Sequence, residues 1–155
     1  MAEERTAVSS TASLPMTPPA AAYQTLATPA NWPSLLLFCS TAKLVNGAAG
    51  GLLRKGATVE EFAGLVPPLG AQLTWECRVA DARRGTLMLD ALDYPGPASD
   101  VELCITVRSD GGSGSTVEIG ASFLGDGPLG AVVGPALGVE FALSTALLFP
   151  AQFKP

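Results

Sequence analysis

Across residues 127–150 the chain carries one ionisable residue, Glu140, among Leu, Val, Phe, Ala, Gly and a few Ser, Thr and Pro. A strand of that length is implausible, whereas a helix satisfies its own backbone and needs only a surface for its apolar side chains. The stretch therefore reads as one long helix that Pro135 either kinks or starts. Length alone would suit a membrane span. Pro135, the glycines Gly127, Gly130, Gly134 and Gly138, and a carboxylate near the middle of the run all oppose that reading, because a buried charge is costly in a bilayer. The expectation is an apolar helix lying on a curved sheet.

Period-two alternation supplies the sheet. Leu73, Trp75, Cys77 and Val79 fall on one face, with Gln72, Thr74, Glu76 and Arg78 on the other, the pattern of a half-buried antiparallel strand. Residues 81–85 turn the chain and 86–92 return it. After Pro95-Gly96-Pro97, Val101, Leu103, Ile105 and Val107 alternate with Glu102, Cys104, Thr106 and Arg108. Asp110-Gly111-Gly112-Ser113-Gly114 then connects to a last strand at 116–124. Upstream, 5–14 reads as a first strand closed by Pro15. A short helix follows Pro18-Pro19, with Thr17 as its cap, and a second brief helix starts at Asn31-Trp32-Pro33-Ser34. Residues 42–46 alternate into an Asn46-Gly47 turn. The glycine-rich 48–53 is a loop or weak strand, 57–62 a strand, and Pro67-Pro68-Leu69-Gly70 a loop. Six or seven strands joined by short turns make an antiparallel meander, and the absence of βαβ spacing argues against a doubly wound nucleotide fold.

Composition narrows the chemistry. The 155 residues suit one domain, taken as residues 3–153. There is no histidine, which excludes His-based triads, His-ligated haem and His-containing zinc sites. Nine Lys and Arg stand against 14 Asp and Glu, so the dense positive surface of a nucleic-acid binder is missing. Cys39, Cys77 and Cys104 are far apart and odd in number. They match no metal pattern and read as buried thiols of a reducing cytosol. Met1-Ala2-Glu3-Glu4-Arg5 opens acidic and without an apolar core, unlike a secretory signal. The glycines at 111–114 lack the Lys-Ser/Thr of a phosphate loop. The expectation is a cytoplasmic protein, monomer or homodimer, with no cofactor and no metal.

Several phrases carry a family resemblance. Residues 6–14 run into Met16-Thr17-Pro18-Pro19-Ala20-Ala21-Ala22-Tyr23-Gln24-Thr25-Leu26. Then comes Thr28-Pro29-Ala30-Asn31-Trp32-Pro33-Ser34-Leu35, close to a D-P-x-N-W-P-x-W segment except at its two ends. Leu44-Val45-Asn46-Gly47 and Leu53-Arg54-Lys55-Gly56 resemble the next hairpin, Leu73-Thr74-Trp75-Glu76-Cys77 an L-x-W-x-V strand, and Gly127-Pro128-Leu129-Gly130 the lead into the last helix. The chain thus resembles the START-like superfamily, also labelled SRPBCC, of polyketide cyclase/dehydrase and lipid-transport domains. The resemblance implies an α+β helix-grip (START-like, Bet v 1-like) fold. In it a seven-stranded antiparallel sheet wraps around a long C-terminal helix, with two short helices, and a tunnel between them holds a hydrophobic ligand. The lack of histidine departs from cyclases that use one.

The candidate ligand contacts are Trp32, Trp75, Phe62, Leu89, Leu137, Glu140, Phe141 and Ser144. Trp32 either stacks on a ligand or packs the short helices on the sheet, and packing is the favoured reading. Trp75 lines a cavity or fills a core. Gly130, Val133, Leu137, Phe141, Ser144 and Leu148 form a helical stripe with Glu140 beside it. A solvent-facing Glu140 is preferred; turned inward, it becomes a general acid or a partner for a ligand hydroxyl. Glu140, Tyr23 and Tyr94 are the catalytic candidates. Cys39 and Cys104 are weak nucleophile candidates with no histidine to activate them. Glu76, Arg78, Asp90 and Glu102 read as cross-strand pairs on a wet face. Carriage of a lipid, quinone, pigment or polyketide-like molecule leads. The alternatives are a cyclase, aromatase or dehydratase using the same cavity, and a protein-interaction module built on the last helix. A transmembrane span is not expected, though transient membrane contact is compatible with the helix.

Overall fold

A computed structural model describes residues 5–45, 47, 50–64, 70–94 and 97–153. Parts of the Asn46-Gly47 turn, the glycine-rich 48–53 stretch, the Pro67-Pro68-Leu69-Gly70 loop and the Pro95-Gly96-Pro97 break lie outside these residues, as do positions 3 and 4. The chain runs β1 (Arg5–Leu14), α1 (Pro19–Leu26), a 3-10 turn at Pro29–Asn31, α2 (Trp32–Leu35) and β2 (Cys39–Val45). There follow β3 (Thr58–Gly64), β4 (Gly70–Asp81), β5 (Thr86–Ala91), β6 (Ala98–Ser109) and β7 (Ser115–Gly125). The described strands form one seven-stranded antiparallel sheet in the order β1-β7-β6-β5-β4-β3-β2. β2 to β7 are the expected meander. β1 closes on β7, with Arg5 opposite Leu124, so α1 and α2 carry the chain between the two edges.

The last segment is one helical run: a 3-10 turn at Pro128–Val132, α3 (Val133–Leu143), a π turn at Ser144–Leu148 and α4 (Phe149–Gln152). Pro135 sits in the first turn of α3, where its missing N–H removes no intrahelical bond. It marks the start of the α-helix instead of kinking it. In the π turn the Phe149 N–H reaches the Ser144 carbonyl. Such a widened turn makes room for Pro150, whose ring would clash with the carbonyl four residues back in a regular helix.

Alternation decides which side chains enter the core. Leu73, Trp75 and Cys77, Leu87 and Leu89, Leu103 and Ile105, and Val117 and Ile119 are buried on the concave face. Tyr23 and Leu26 of α1 are buried with them, as are Val133 and Phe141 of α3 and Phe149 of α4. Each large apolar side chain so buried contributes about 1.5–3 kcal/mol. The opposite face is wet. There Arg78 bridges Asp90 and Glu102, and Arg5 pairs with Asp100 and Glu102, exposed pairs of modest individual weight.

Two expectations need correcting. Thr17 does not cap α1, whose N-cap is Pro18 without a side-chain bond; its hydroxyl instead donates to the Phe153 carbonyl at 3.5 Å. Cys104 is half-buried, unlike Cys39 and Cys77, because the alternation of β6 turns it to the outer face with Glu102. Of the two readings offered for 48–53, a loop or a weak strand, the described residues 50–53 take the loop.

The β4–β5 connection is fixed by two features. Asp81 Oδ1 accepts the N–H groups of Arg83 and Arg84, each at 3.1 Å. Gly85 sits at φ 67°, and a Cβ there would lie 2.2 Å from the Val107 carbonyl oxygen. Gly85→Ala is expected to cost about 2 kcal/mol or more, seen as a lower denaturant midpoint at unchanged slope.

Candidate ligand-binding cavity

Between the concave face and the C-terminal helix lies a cavity of about 230 Å³. It exceeds the roughly 150 Å³ of an apolar cavity that takes up benzene. Leu73 and Trp75 of β4, Val101 and Leu103 of β6, and Ala121 of β7 line the sheet side. Val133, Leu137 and Phe141 line the helix side, and Leu36 and Phe38 close one flank. Short side chains at Ala63 and Ala121 leave the volume open. Val132 and Ala136 lie on the wall yet are exposed, which marks the mouth.

Two carboxyl groups interrupt this apolar lining. Val59, Glu61 and Ala63 share the inward face of β3, which puts Glu61 inside at 5 % exposure. Its Oε1 accepts the Trp75 indole N–H at 2.9 Å. Glu140, 8 % exposed, comes from α3, and its Oε2 accepts the Phe38 N–H at 3.0 Å. One turn on, Ser144 Oγ accepts the Leu37 N–H at 2.9 Å. Both N–H groups follow α2, where Leu36 turns extended and ends the helix. Without these side chains the two N–H groups would lack a protein partner at a half-buried place. Tyr94 completes the polar lining.

Burial governs the titration of the group. It pushes Glu61 above the ordinary carboxyl range, against the opposing pull of the Trp75 N–H. Glu140 is pushed up to about 7, by burial first, with the Phe38 N–H opposing and the Glu61 charge reinforcing. The Tyr94 phenol is raised by burial and by both carboxylates. The Cys39 thiol is also raised, by burial and then by Glu61 beside it, which leaves it a poor nucleophile.

The residues singled out from the sequence separate into two groups. Trp75, Leu137, Glu140, Phe141 and Tyr94 meet on the cavity wall. The solvent-facing orientation preferred for Glu140 is wrong, because its carboxylate is needed by the Phe38 N–H. Trp32, Phe62, Leu89, Ser144 and Tyr23 are not on that wall. Trp32 is 1 % exposed and donates its indole N–H to the Leu26 carbonyl at 2.9 Å, which is the packing role. Phe62 points to the other face of β3, one residue out of phase with Glu61. Leu89 is sealed in the core. Ser144 is fully buried as the partner of Leu37, and Tyr23 packs from α1. Glu61 was missed, and the alternation Val59-Glu61-Ala63 was the signal for it. Glu76, Arg78, Asp90 and Glu102 lie outside the cavity.

The helical run Gly130–Gln152 has the length and composition of a membrane span, but one side of it is packed on the sheet, and Thr145 Oγ1 bonds Ser10 Oγ of β1 at 2.8 Å. Val139, Leu143 and Leu147 are exposed on its other side.

No protein-family model matches the chain, and no curated protein matches it. Solved structures do. Ginseng major latex-like protein 151 from Panax ginseng superposes with a TM-score of 0.74 at 13 % identity, over 97 % of this chain and 99 % of that one. XoxI from Bacillus cereus gives 0.71 at 16 % identity, over 99 % and 97 %. The di-domain ARO/CYC BexL from the BE-7585A biosynthetic pathway gives 0.72 at 12 % identity, over 98 % of this chain and 48 % of that one. The chain shares the fold of these structures, a seven-stranded antiparallel sheet gripping a long C-terminal helix.

A carboxyl whose pKa is higher folded than unfolded binds its proton more tightly in the folded state. Its contribution to stability is complete below the unfolded value and is lost as pH rises through the folded one. For Glu140 that window runs from 4.5 to about 7 and spans on the order of 3 kcal/mol; Glu61 acts in the same direction. The melting temperature should therefore rise as pH is lowered from about 8 to about 5, and Glu140→Gln should flatten the profile. A wild-type melting temperature that fell over this range would contradict the buried carboxyl pair.

Proposed function

We propose that residues 3–153 act as one unit that binds a small, mainly apolar molecule in the cavity between the sheet and the C-terminal helix. The observation that carries this reading is the cavity itself: about 230 Å³, apolar on most of its wall and open at Val132 and Ala136. A core built only for stability is filled to crystal-like density, and this one is not. Small-molecule sites typically combine apolar walls with a few converging polar groups. Here Trp75, Leu137 and Phe141 would hold the hydrocarbon body, while Glu61, Glu140 and Tyr94 would orient its polar end. The ligand class ranges over lipid, quinone, pigment and polyketide-like molecules. A cytoplasmic location suits the free thiols of Cys39, Cys77 and Cys104.

A specific observation favours a second reading, an enzyme of the cyclase, aromatase or dehydratase kind. Two carboxyl groups face one cavity, and one of them titrates near neutral pH, as acid–base catalysis requires. Glu140 in its protonated form would give a proton to a substrate carbonyl oxygen, and in its ionised form would take one from carbon or water. The likeness to an ARO/CYC lends weight to this reading.

Titration with the neutral dye Nile red tests the binding reading. The wild type is expected to take up one dye per chain. Ala136→Trp at the mouth, an exposed position that leaves the core intact, should weaken uptake by about tenfold or more, as should Ala121→Phe within the cavity. Failure to bind the dye, together with an empty protein by native mass spectrometry after purification from its own host, would refute it. If a substrate is turned over, Glu140→Gln should slow the reaction by about a hundredfold or more while binding persists.

A further inference from the structure

We infer that the cavity selects an apolar molecule ending in a protonated amine over neutral and anionic molecules of the same shape. This rests on the cavity being a binding site. The argument begins with the kinds of polar group on the wall. Glu61, Glu140 and Tyr94 are there, and among the described residues no Lys or Arg lines the cavity. The chain holds no histidine. Both carboxyl side chains are more than nine-tenths buried.

Each carboxyl group accepts one N–H donor. Glu61 Oε1 binds the Trp75 indole and Glu140 Oε2 binds the Phe38 N–H. Among the described residues, Glu140 Oε1 has no hydrogen-bond partner, and Glu61 has only the weakly donating Cys39 thiol besides Trp75. Ser115 Oγ is the sole side-chain polar atom among them that is both fully sealed and unpartnered. Both carboxyl groups lie on the cavity wall, where their remaining acceptor capacity meets a ligand.

A buried carboxylate needs a cation, a proton or several hydrogen bonds. The fold spends its paired cations elsewhere. Arg5 and Arg78 pair on the outer face of the sheet, and Lys43 pairs with Glu60. An ammonium group on the ligand supplies what the interior omits. It has three N–H donors and no acceptor, which suits two acceptor oxygens, while its hydrocarbon body meets Leu137, Phe141 and Leu103. An alcohol brings one donor. A carboxylate ligand adds a further negative charge and meets no cation.

The groups that face Glu140 are Glu61 from β3, Cys39 from β2, Tyr94 beyond β5 and the Phe38 N–H. Tyr94 and Cys39 are both raised and stay neutral near pH 7. Glu140, pushed up to about 7, holds its proton below neutral pH, so an entering ammonium displaces that proton to solvent and its affinity rises with pH.

Calorimetric titration of the full chain with naphthylmethylamine, naphthalenemethanol, methylnaphthalene and naphthoate decides the matter. At about pH 8 the amine is expected to bind roughly tenfold to a hundredfold more tightly than the alcohol, with naphthoate the weakest of the four. Between about pH 8 and about pH 5.5 the amine should lose roughly tenfold in affinity while methylnaphthalene is unchanged. Glu61→Gln combined with Glu140→Gln should remove the preference for the amine and keep methylnaphthalene binding. The wild-type series decides without the variant if that variant does not fold. Equal or tighter binding of the alcohol or the hydrocarbon would overturn the amine selectivity and leave the binding site standing. No binding of any of the four would overturn both.

Discussion

Two backbone N–H groups, those of Leu37 and Phe38, are the points on which the C-terminal helix is hung. They emerge where α2 ends, at half-buried residues, and Ser144 and Glu140 accept them. Hydrophobic packing alone would allow an apolar helix to slide or roll on an apolar sheet. These bonds, with Thr145 on Ser10 at the opposite edge, fix its register and rotation. The cavity follows from that fixation, because a helix pinned at polar points cannot settle fully into the space above Ala121 and Ala63.

The same hydrogen bond makes Glu140 both structural and chemical. A carboxylate held by one backbone N–H in an apolar place is half satisfied, and the shortfall appears as its affinity for a proton. Glu61, tied to Trp75 through one oxygen, repeats the arrangement from the opposite wall. Interiors built only for stability avoid such pairs. Their concentration around one void is the pattern of a site, where local rules are broken for a purpose.

Much of the fold was legible in the sequence because one side of it is wet. β4 to β7 announce themselves by alternation, since their outer residues carry charge and their inner residues do not. The last helix announces itself by lacking charge. The inward glutamates were hidden for opposite reasons. Glu61 sits next to Glu60 in a short strand followed by Phe62, and the aromatic drew attention to the wrong face. Around Glu140 the helix is apolar on both sides, with Val139, Leu143 and Leu147 exposed, so helical periodicity had no polar face from which to assign inside and outside. Ser144 was placed among the ligand contacts because its true partner is the Leu37 N–H, a main-chain atom that a side-chain pattern does not reveal.

The pairing of β1 with β7, and of the final helix with β1 and α2, joins the beginning of this stretch of chain to its end. As the polypeptide leaves the ribosome, β1 has no neighbour until residues 115–125 have emerged, and the concave face stays uncovered until the helix follows. The meander from β2 to β6 can assemble from contacts near in sequence, but the enclosure cannot. Closing such distant contacts is slow, and the uncovered face is an opportunity for aggregation. The void that would receive a ligand is thus made late, after most of the sheet is already in place.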